Sequence, residues 1–374
     1  MTKPAFYETK QMAKTLLLGV EAPYHRGDMA SYNEEFLNLA RTVGIPRDHV
    51  LFVKIRLTDP GYFLTKGKLE EIKKYCDENG IEEVVISEIL TPQQERNLTD
   101  FLECTIVDRT FLILQIFNRS AHSAEGKAQV ETAMLEYQKS RLRGKGIHMG
   151  QQEGVHGLRG GPGETAKESE RRALDLEIEN YKRQLERIQK TRDTQRKQRL
   201  ASGIPLFCLI GYTNAGKSTL LNALAKGNVL AEDKLFATLD TTTREFFIDG
   251  QKKALLSDTV GFIQQLPHQL IEAFKSTLSE LKHADLLLQV IDVADSNWEG
   301  QIKVVQDILE DLQVEKDMIY LFNKIDKTEL TDELKNRLEL YQPHVVISAT
   351  NKKTLAPLIE LLRNWQPSLP ATEK

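Results

Sequence analysis

Along the first part of the chain, short apolar runs alternate with stretches of helical spacing. Thr15-Leu-Leu-Leu-Gly-Val20 is apolar and of strand length, and Ser31 is placed to cap a helix through Val43 with Phe36, Leu37, Leu39 and Ala40 on its apolar face. Val50 to Leu57 alternates as a strand, Lys68 to Asn79 reads as a helix stopped by Gly80, and Val84-Val-Ile86 is a strand. Pro92 opens a helix to about Leu102, and Thr105-Ile-Val107 is another strand. Strands alternating with helices predict a parallel sheet, so residues 1–108 read as an α/β subdomain. Thr65-Lys-Gly-Lys68 is a basic turn before a helix, which offers backbone N–H groups to a phosphate. With one glycine and no Ser/Thr after it, a plain loop is the simpler reading.

The pattern then changes. Asp108 to Arg143 is a long helical pattern with Leu112, Ile116, Val130, Met134 and Leu135 at apolar positions. Residues 143–163 are too rich in glycine for helix or strand, and irregular loops of that length are usually functional or disordered. Thr165 to Leu200 returns to helical spacing, with Leu174, Leu176, Ile178, Tyr181, Leu185 and Ile188 apolar. The expectation is an antiparallel helical hairpin over 109–202 that carries the glycine-rich loop.

Residues 203–374 read as a Ras-like domain. Ile204 to Ile210 is a strand-length apolar run, and Thr219 to Lys226 carries an apolar stripe of helical spacing. Between them Gly211-Tyr-Thr-Asn-Ala-Gly216-Lys217-Ser218-Thr219 fits G-x-x-x-x-G-K-[ST], the phosphate-cradling loop. A strand turning through glycines into a helix aims backbone N–H groups, among them those of Asn214 and Ala215, at an anion. Lys217 reaches the β- and γ-phosphates, and Ser218 ligates Mg²⁺. Phe236 to Arg244 holds the threonine of a switch, whose hydroxyl ligates Mg²⁺ only when the γ-phosphate is present. Thr242 is the choice, with Thr241 and Thr243 as neighbours that the sequence does not separate. Leu255 to Phe262 is an apolar approach to D-x-x-G: Asp258 holds Mg²⁺ through a water, and the Gly261 N–H senses the γ-phosphate.

Ile319 to Asp326 is a strand followed by N-K-x-D, with Asn323, Lys324 and Asp326. The Asp carboxylate accepts from guanine N1–H and N2–H, which adenine lacks. Ser348, Ala349 and Thr350 follow the last strand and present their backbone to guanine O6. In this order, each after a strand, the motifs read as a GTPase. Lys217, Thr242 and Gly261 are its expected catalytic residues. The glutamine that orients the attacking water in Ras-like proteins is replaced by Phe262, so slow hydrolysis without a partner is expected. Asn214 raises the expectation of stimulation by K⁺ in place of an arginine finger. Ser257 and Thr259 receive no role.

The chain has 374 residues, 28% charged and 40% hydrophobic, enough for two or three globular domains. A net charge of −4 gives no global pull toward nucleic acid. Local charge differs: Lys182, Arg183, Arg187, Lys190, Arg192, Arg196, Lys197 and Arg199 face only Glu186 and Asp193, and Lys139, Arg141, Arg143 and Lys145 precede the loop. Arg159, His148 and His156 lie within it. A flexible glycine loop on a basic stalk suits a folded RNA; a solvated helix face beside an ordinary loop is the competing reading. Cys76, Cys104 and Cys208 are scattered and read as reduced, without disulfide or metal, with Cys208 a small core residue in its apolar run. There is no signal-peptide pattern, and no apolar stretch nears the ~20 residues that span a bilayer.

Asp108-Arg-Thr, Ile116-Phe, Glu125-Gly-Lys-Ala-Gln-Val-Glu131, Gly157-Leu-Arg-Gly-Gly-Pro-Gly-Glu-Thr165, Glu168 and Arg171-Arg172 resemble the HflX family of ribosome-associated GTPases, in the Obg/HflX superfamily. Gly67-Lys-Leu-Glu-Glu71 and Pro92-x-Gln-x-x-Asn97-Leu fit it too, and the resemblance spans roughly residues 15 to 350. It implies GTP and GDP as ligands with Mg²⁺, binding to the large ribosomal subunit and its rRNA with the glycine loop near the peptidyl-transferase region, and ribosome-stimulated hydrolysis. It further implies splitting or rescue of stalled or hibernating ribosomes under stress, by a cytoplasmic monomer without integral membrane association; peripheral membrane contact is left open. In some members it implies ATP-linked RNA remodelling by the N-terminal domain. That gives the alternative, an ATP-dependent RNA remodeller with a regulatory GTPase, which predicts ATP hydrolysis surviving Lys217→Ala. Departures are Gly-Gly in the loop where one glycine is expected, Thr241 in place of a proline, and little or no extra C-terminal domain after the core.

Overall fold

In the computed structural model the described residues are 13–25, 28–142, 162–225, 235–236, 239, 242–265, 267 and 279–366. The glycine-rich stretch 143–161, with Arg143, Lys145, His148, His156 and Arg159, lies outside them, as do Thr241 and most of 266–278. The chain divides into two compact units, Met1–Ile116 with Glu131–Asn180, and Phe117–Val130 with Tyr181–Lys374. The helical segment is therefore shared between the two units and forms none of its own.

The first unit is built on four parallel strands, β1 (Thr15–Glu21), β2 (His49–Lys54), β3 (Glu83–Ile86) and β4 (Thr105–Val107), in the order β2-β1-β3-β4. β1 is buried at nearly every position because strands flank it and helices cover its faces, which explains its unbroken apolar run. α1 (Met29–Thr42), α2 (Lys66–Asn79), α3 (Pro92–Leu102) and α4 (Arg109–Ser120) follow the four strands in turn. Asp28 caps α1 by accepting the Ala30 N–H at 2.9 Å, where Ser31 was expected; the helix starts before Ser31. α3 begins where expected, with Thr91 and Gln94 forming a reciprocal capping box ahead of Pro92. Lys66-Gly67-Lys68 is the first turn of α2, with Thr65 at its N-cap. Cys76 and Cys104 are distant in sequence yet adjacent here, and burial pushes the Cys76 thiol up to about 12.

The long pattern from Asp108 is two helices, α4 and α5 (Ala124–Leu142). Ser123 makes the break: its Oγ accepts the Gly126 N–H at 2.9 Å and starts a new helix, a cap hidden under the continuing apolar period. α6 (Pro162–Ser202) is one long helix.

The second unit carries a six-stranded sheet of β5 (Leu206–Gly211), β6 (Thr242–Ile248), β7 (Gln251–Asp258), β8 (Leu286–Asp292), β9 (Met318–Asn323) and β10 (His344–Val346). Their order is β10-β9-β8-β5-β7-β6, parallel except for β6. β6 and β7 form a hairpin turning at Asp249 and Gly250, both at positive φ as a two-residue turn requires. α7 (Lys217–Leu224), α8 (Trp298–Asp311), α9 (Asp332–Leu338) and α10 (Ala356–Asn364) are among the described helices of this unit. Phe207, Leu209, Leu220, Leu256, Leu288, Leu321 and Leu358 lie in one continuous core that fixes β5 at the sheet's centre. Among the described residues no helix is long and apolar enough to cross a membrane.

Candidate nucleotide site

The loops at the carboxyl ends of β5, β7, β8, β9 and β10 meet at the edge where parallel α/β sheets bind ligands. β5 ends at Gly211, where an added Cβ would stand 2.2 Å from Val290 O, so no other residue lets the chain leave the sheet there. The loop passes through Asn214 (φ 60) and Gly216 (φ 98) into α7. Lys217 Nζ is buried and donates to Gly211 O (3.1 Å) and Tyr212 O (2.8 Å). Burial pushes its pKa down to about 8, against the opposing pull of Asp258.

Ser218 and Asp258 are brought together, the Ser218 hydroxyl donating to Asp258 Oδ2 at 2.6 Å, and Asp258 is fully buried. Thr242 opens β6 directly opposite Asp258, while Thr243 pairs its hydroxyl with Ser257 at 3.3 Å. Of the three candidate threonines, Thr242 therefore stands in register with the Asp, Thr243 is turned to Ser257, and Thr241 lies outside the described residues. Thr219 is half-buried in the first turn of α7. Gly261 is pressed against the loop: a Cβ there would come within 2.8 Å of Thr213 Cγ2 and 3.0 Å of Lys217 Nζ. Phe262 is 2% exposed, so its ring belongs to the core.

Asn323 ties the motifs together. Its Nδ2 donates to Ala215 O and its Oδ1 accepts the Ala349 N–H, both at 2.8 Å, in a residue 1% exposed. Lys324 takes a left-handed conformation (φ 64) and pairs with Asp292 at 2.6 Å. Asp326 is exposed in a short 3₁₀ turn. Ser348 is held by Thr354, whose Oγ1 accepts its N–H at 2.9 Å, and by a 2.9 Å hydroxyl contact with Thr350. Sequence reasoning passed over two residues: Thr259, whose hydroxyl donates to Leu209 O at 2.7 Å, and Tyr212, whose hydroxyl accepts the Gln264 N–H at 2.7 Å. Both sit inside recognised motifs, but their partners are main-chain groups that no spacing rule exposes.

The basic stalk is less available than its sequence suggests. Arg192 bridges Glu125 (2.7 Å) and Glu280 (2.6 Å), Arg196 meets Asp193 and His283, and Arg199 donates to His283 O. Lys139 pairs with Asp175, and Arg141 is locked to Glu95 and Asp108. Arg187, Lys190 and Lys197 remain exposed. Among the described residues no group of three or more His, Cys, Asp or Glu side chains is placed to hold a metal ion.

A phosphate loop at the end of a central strand, an acid and a glycine closing over it, and an N-K-x-D strand end beside it define a P-loop GTPase domain. Family models agree along the chain: one described as "GTP-binding GTPase N-terminal" matches residues 30–118, "GTP-binding GTPase Middle Region" matches 120–199, and "50S ribosome-binding GTPase" matches 206–324. The GTPase HflX of Magnetococcus marinus is 42% identical over 351 residues, which is 93% of this chain and 81% of the relative. That of Escherichia coli K12 is 40% identical over 331 residues, 88% of this chain and 78% of the relative. The solved structure of SsGBP in complex with GDP is 26% identical, with a TM-score of 0.52, covering 94% of this chain and 97% of that one. The chain belongs to the HflX family of GTPases. It binds GTP and is a hydrolase acting on it.

Proposed function

We propose that this GTPase is triggered by the large ribosomal subunit and acts in splitting, rescue or recycling of ribosomes under stress. GTP lies in the loop 211–219, with the phosphates on the backbone N–H groups from Asn214 to Thr219 and on Lys217. Asn323, Lys324, Asp326 and the backbone of 348–350 take the guanine. Mg²⁺ dependence is what the GTPase family implies in general, and the paired oxygens of Ser218 and buried Asp258 fit a hard cation. These residues would hold Mg²⁺, which would supply neutralisation of charge developing on the phosphates. Thr242 would complete its shell in the GTP state, Asp258 would hold it through a water, and Asn214 would be the residue that takes K⁺.

The observation that carries the reading is Phe262. At the position where Ras-like proteins orient the attacking water, this chain has a buried phenyl ring that neither donates nor accepts a hydrogen bond. Fast turnover then needs a group supplied or ordered by a partner. The description "50S ribosome-binding GTPase" attached to the matching family model supports the large subunit as that partner. Exposed Arg187, Lys190 and Lys197, with the loop 143–163, supply contacts to rRNA. The chain works as a cytoplasmic monomer in this reading.

Co-sedimentation with purified large subunits tests it. Binding with a non-hydrolysable GTP analogue and release with GDP are expected; equal retention in both states, or no binding at low salt, would sink the proposal.

A further inference from the structure

The segment carrying Asp258 and Gly261 leaves the phosphate-loop strand and rejoins it. Leu209 stands opposite Asp258 in the β5–β7 register, and Tyr212 stands opposite Phe262 in a further bridge. Ile210 and Gly211 thus face Thr259, Val260 and Gly261, and the extra residue makes the segment bulge. Both ends of the bulge are pinned. At its start, Thr259 Oγ1 donates to Leu209 O at 2.7 Å. After it, the Phe262 N–H donates to Gly211 O (3.2 Å) and the Thr213 N–H donates to Phe262 O (2.8 Å). The last bond is the Gln264 N–H donated to Tyr212 Oη at 2.7 Å. Tyr212 is 6% exposed and Gln264 half-buried, so this bond is partly sheltered from water. The bulge lies over Lys217, since a Cβ on Gly261 would be 3.0 Å from its Nζ.

We propose that Tyr212 is a positioning residue for GTP hydrolysis: by accepting the Gln264 N–H, its hydroxyl fixes the far end of the bulge and so holds the Gly261 N–H at the γ-phosphate. This rests on the reading that residues 211–219 and 258–261 hold GTP. Because Phe262 offers no polar side chain, this segment acts on the γ-phosphate through its main chain, and the rate follows main-chain placement. GDP has no γ-phosphate, so its binding does not use the bulge.

Tyr212→Phe keeps the ring and removes the acceptor. Single-turnover hydrolysis by the protein alone is expected to slow about 3- to 10-fold, the range of one ordinary hydrogen bond. GDP affinity is expected to stay within about twofold of the unaltered protein, the spread of a neutral change. Unchanged hydrolysis would overturn the proposal. So would a loss of GDP affinity equal to the loss in rate, which would mean that Tyr212 only supports the loop's packing. Lys217→Ala, measured in parallel, separates the two levels: if it hydrolyses GTP normally, the site assignment itself fails, whereas a dead Lys217→Ala beside an unaffected Tyr212→Phe discards only the role of Tyr212.

Discussion

In the proposed site, Lys217 sits where one proton would change ligand affinity. Its ammonium is buried and bonded to the carbonyls of its own loop, and its pKa is pushed down to about 8 by burial. A bound phosphate chain favours the charged form, so the complex keeps a proton that the free protein gives up above that pKa. GDP affinity is therefore expected to be flat below pH 7 and to fall as pH rises through 8 to 9, at up to about tenfold per unit. Titration calorimetry at pH 7 and 9 reads this; tighter binding at pH 9 would contradict it. The stability of the ligand-free protein has the opposite sign. The folded value lies below the ordinary 10.5, so the unfolded chain binds more protons between the two, and this group's contribution rises with pH across that window. Asn323 acts through two buried bonds, and Asn323→Ala leaves Ala215 O and the Ala349 N–H without them. Denaturant unfolding is expected to show a loss of about 1–3 kcal/mol, along with weakened GDP binding. Motif spacing exposes Lys217, Ser218, Asp258 and Asn323 because their chemistry is in their own side chains. Tyr212 and Thr259 stay hidden because the groups they bond are set by strand register.

The elements were legible where the hydrophobic period was clean. α3 starts at Pro92 because a proline and a capping box mark one residue. The break between α4 and α5 was invisible because the apolar spacing runs on past it and only the Ser123 cap divides the helices. β6 was read as switch alone because its residues alternate exposed and buried over a short edge strand, without the apolar run of β5. α6 shows the limit of counting charges. Arg192 is held between Glu125 and Glu280, and burial pushes Glu280 above its ordinary range while Arg192 pulls it down. Arg192→Ala leaves two acids facing each other, and a loss of about 1–3 kcal/mol is expected in thermal unfolding. Replacing Arg187, Lys190 and Lys197 together by Ala is expected to leave stability within about 0.5 kcal/mol. It is also expected to flatten the salt dependence of rRNA binding, since each phosphate contact contributes to that slope. The reverse pattern, an unstable triple variant that binds with the original slope, would remove the stalk from the RNA interface.

At the scale of the molecule, alternation of strands and helices was enough to give a parallel N-terminal sheet, and the ordered motifs, each after a strand, gave the P-loop GTPase domain. The division into units was harder to see, because α4, α5 and α6 each contribute to both and no composition shift marks the crossing. A switch of the proposed kind works only if hydrolysis is slow until the partner is met. Nothing in the Phe262 side chain can orient water, while the rest of the site is assembled around Lys217, Ser218 and Asp258. The measurement that reaches this point most directly is steady-state GTP hydrolysis with and without purified large ribosomal subunits, in potassium buffer. The account predicts slow turnover alone and strong stimulation by the subunit. Fast turnover by the protein alone, or slow turnover unchanged by the subunit, would contradict it.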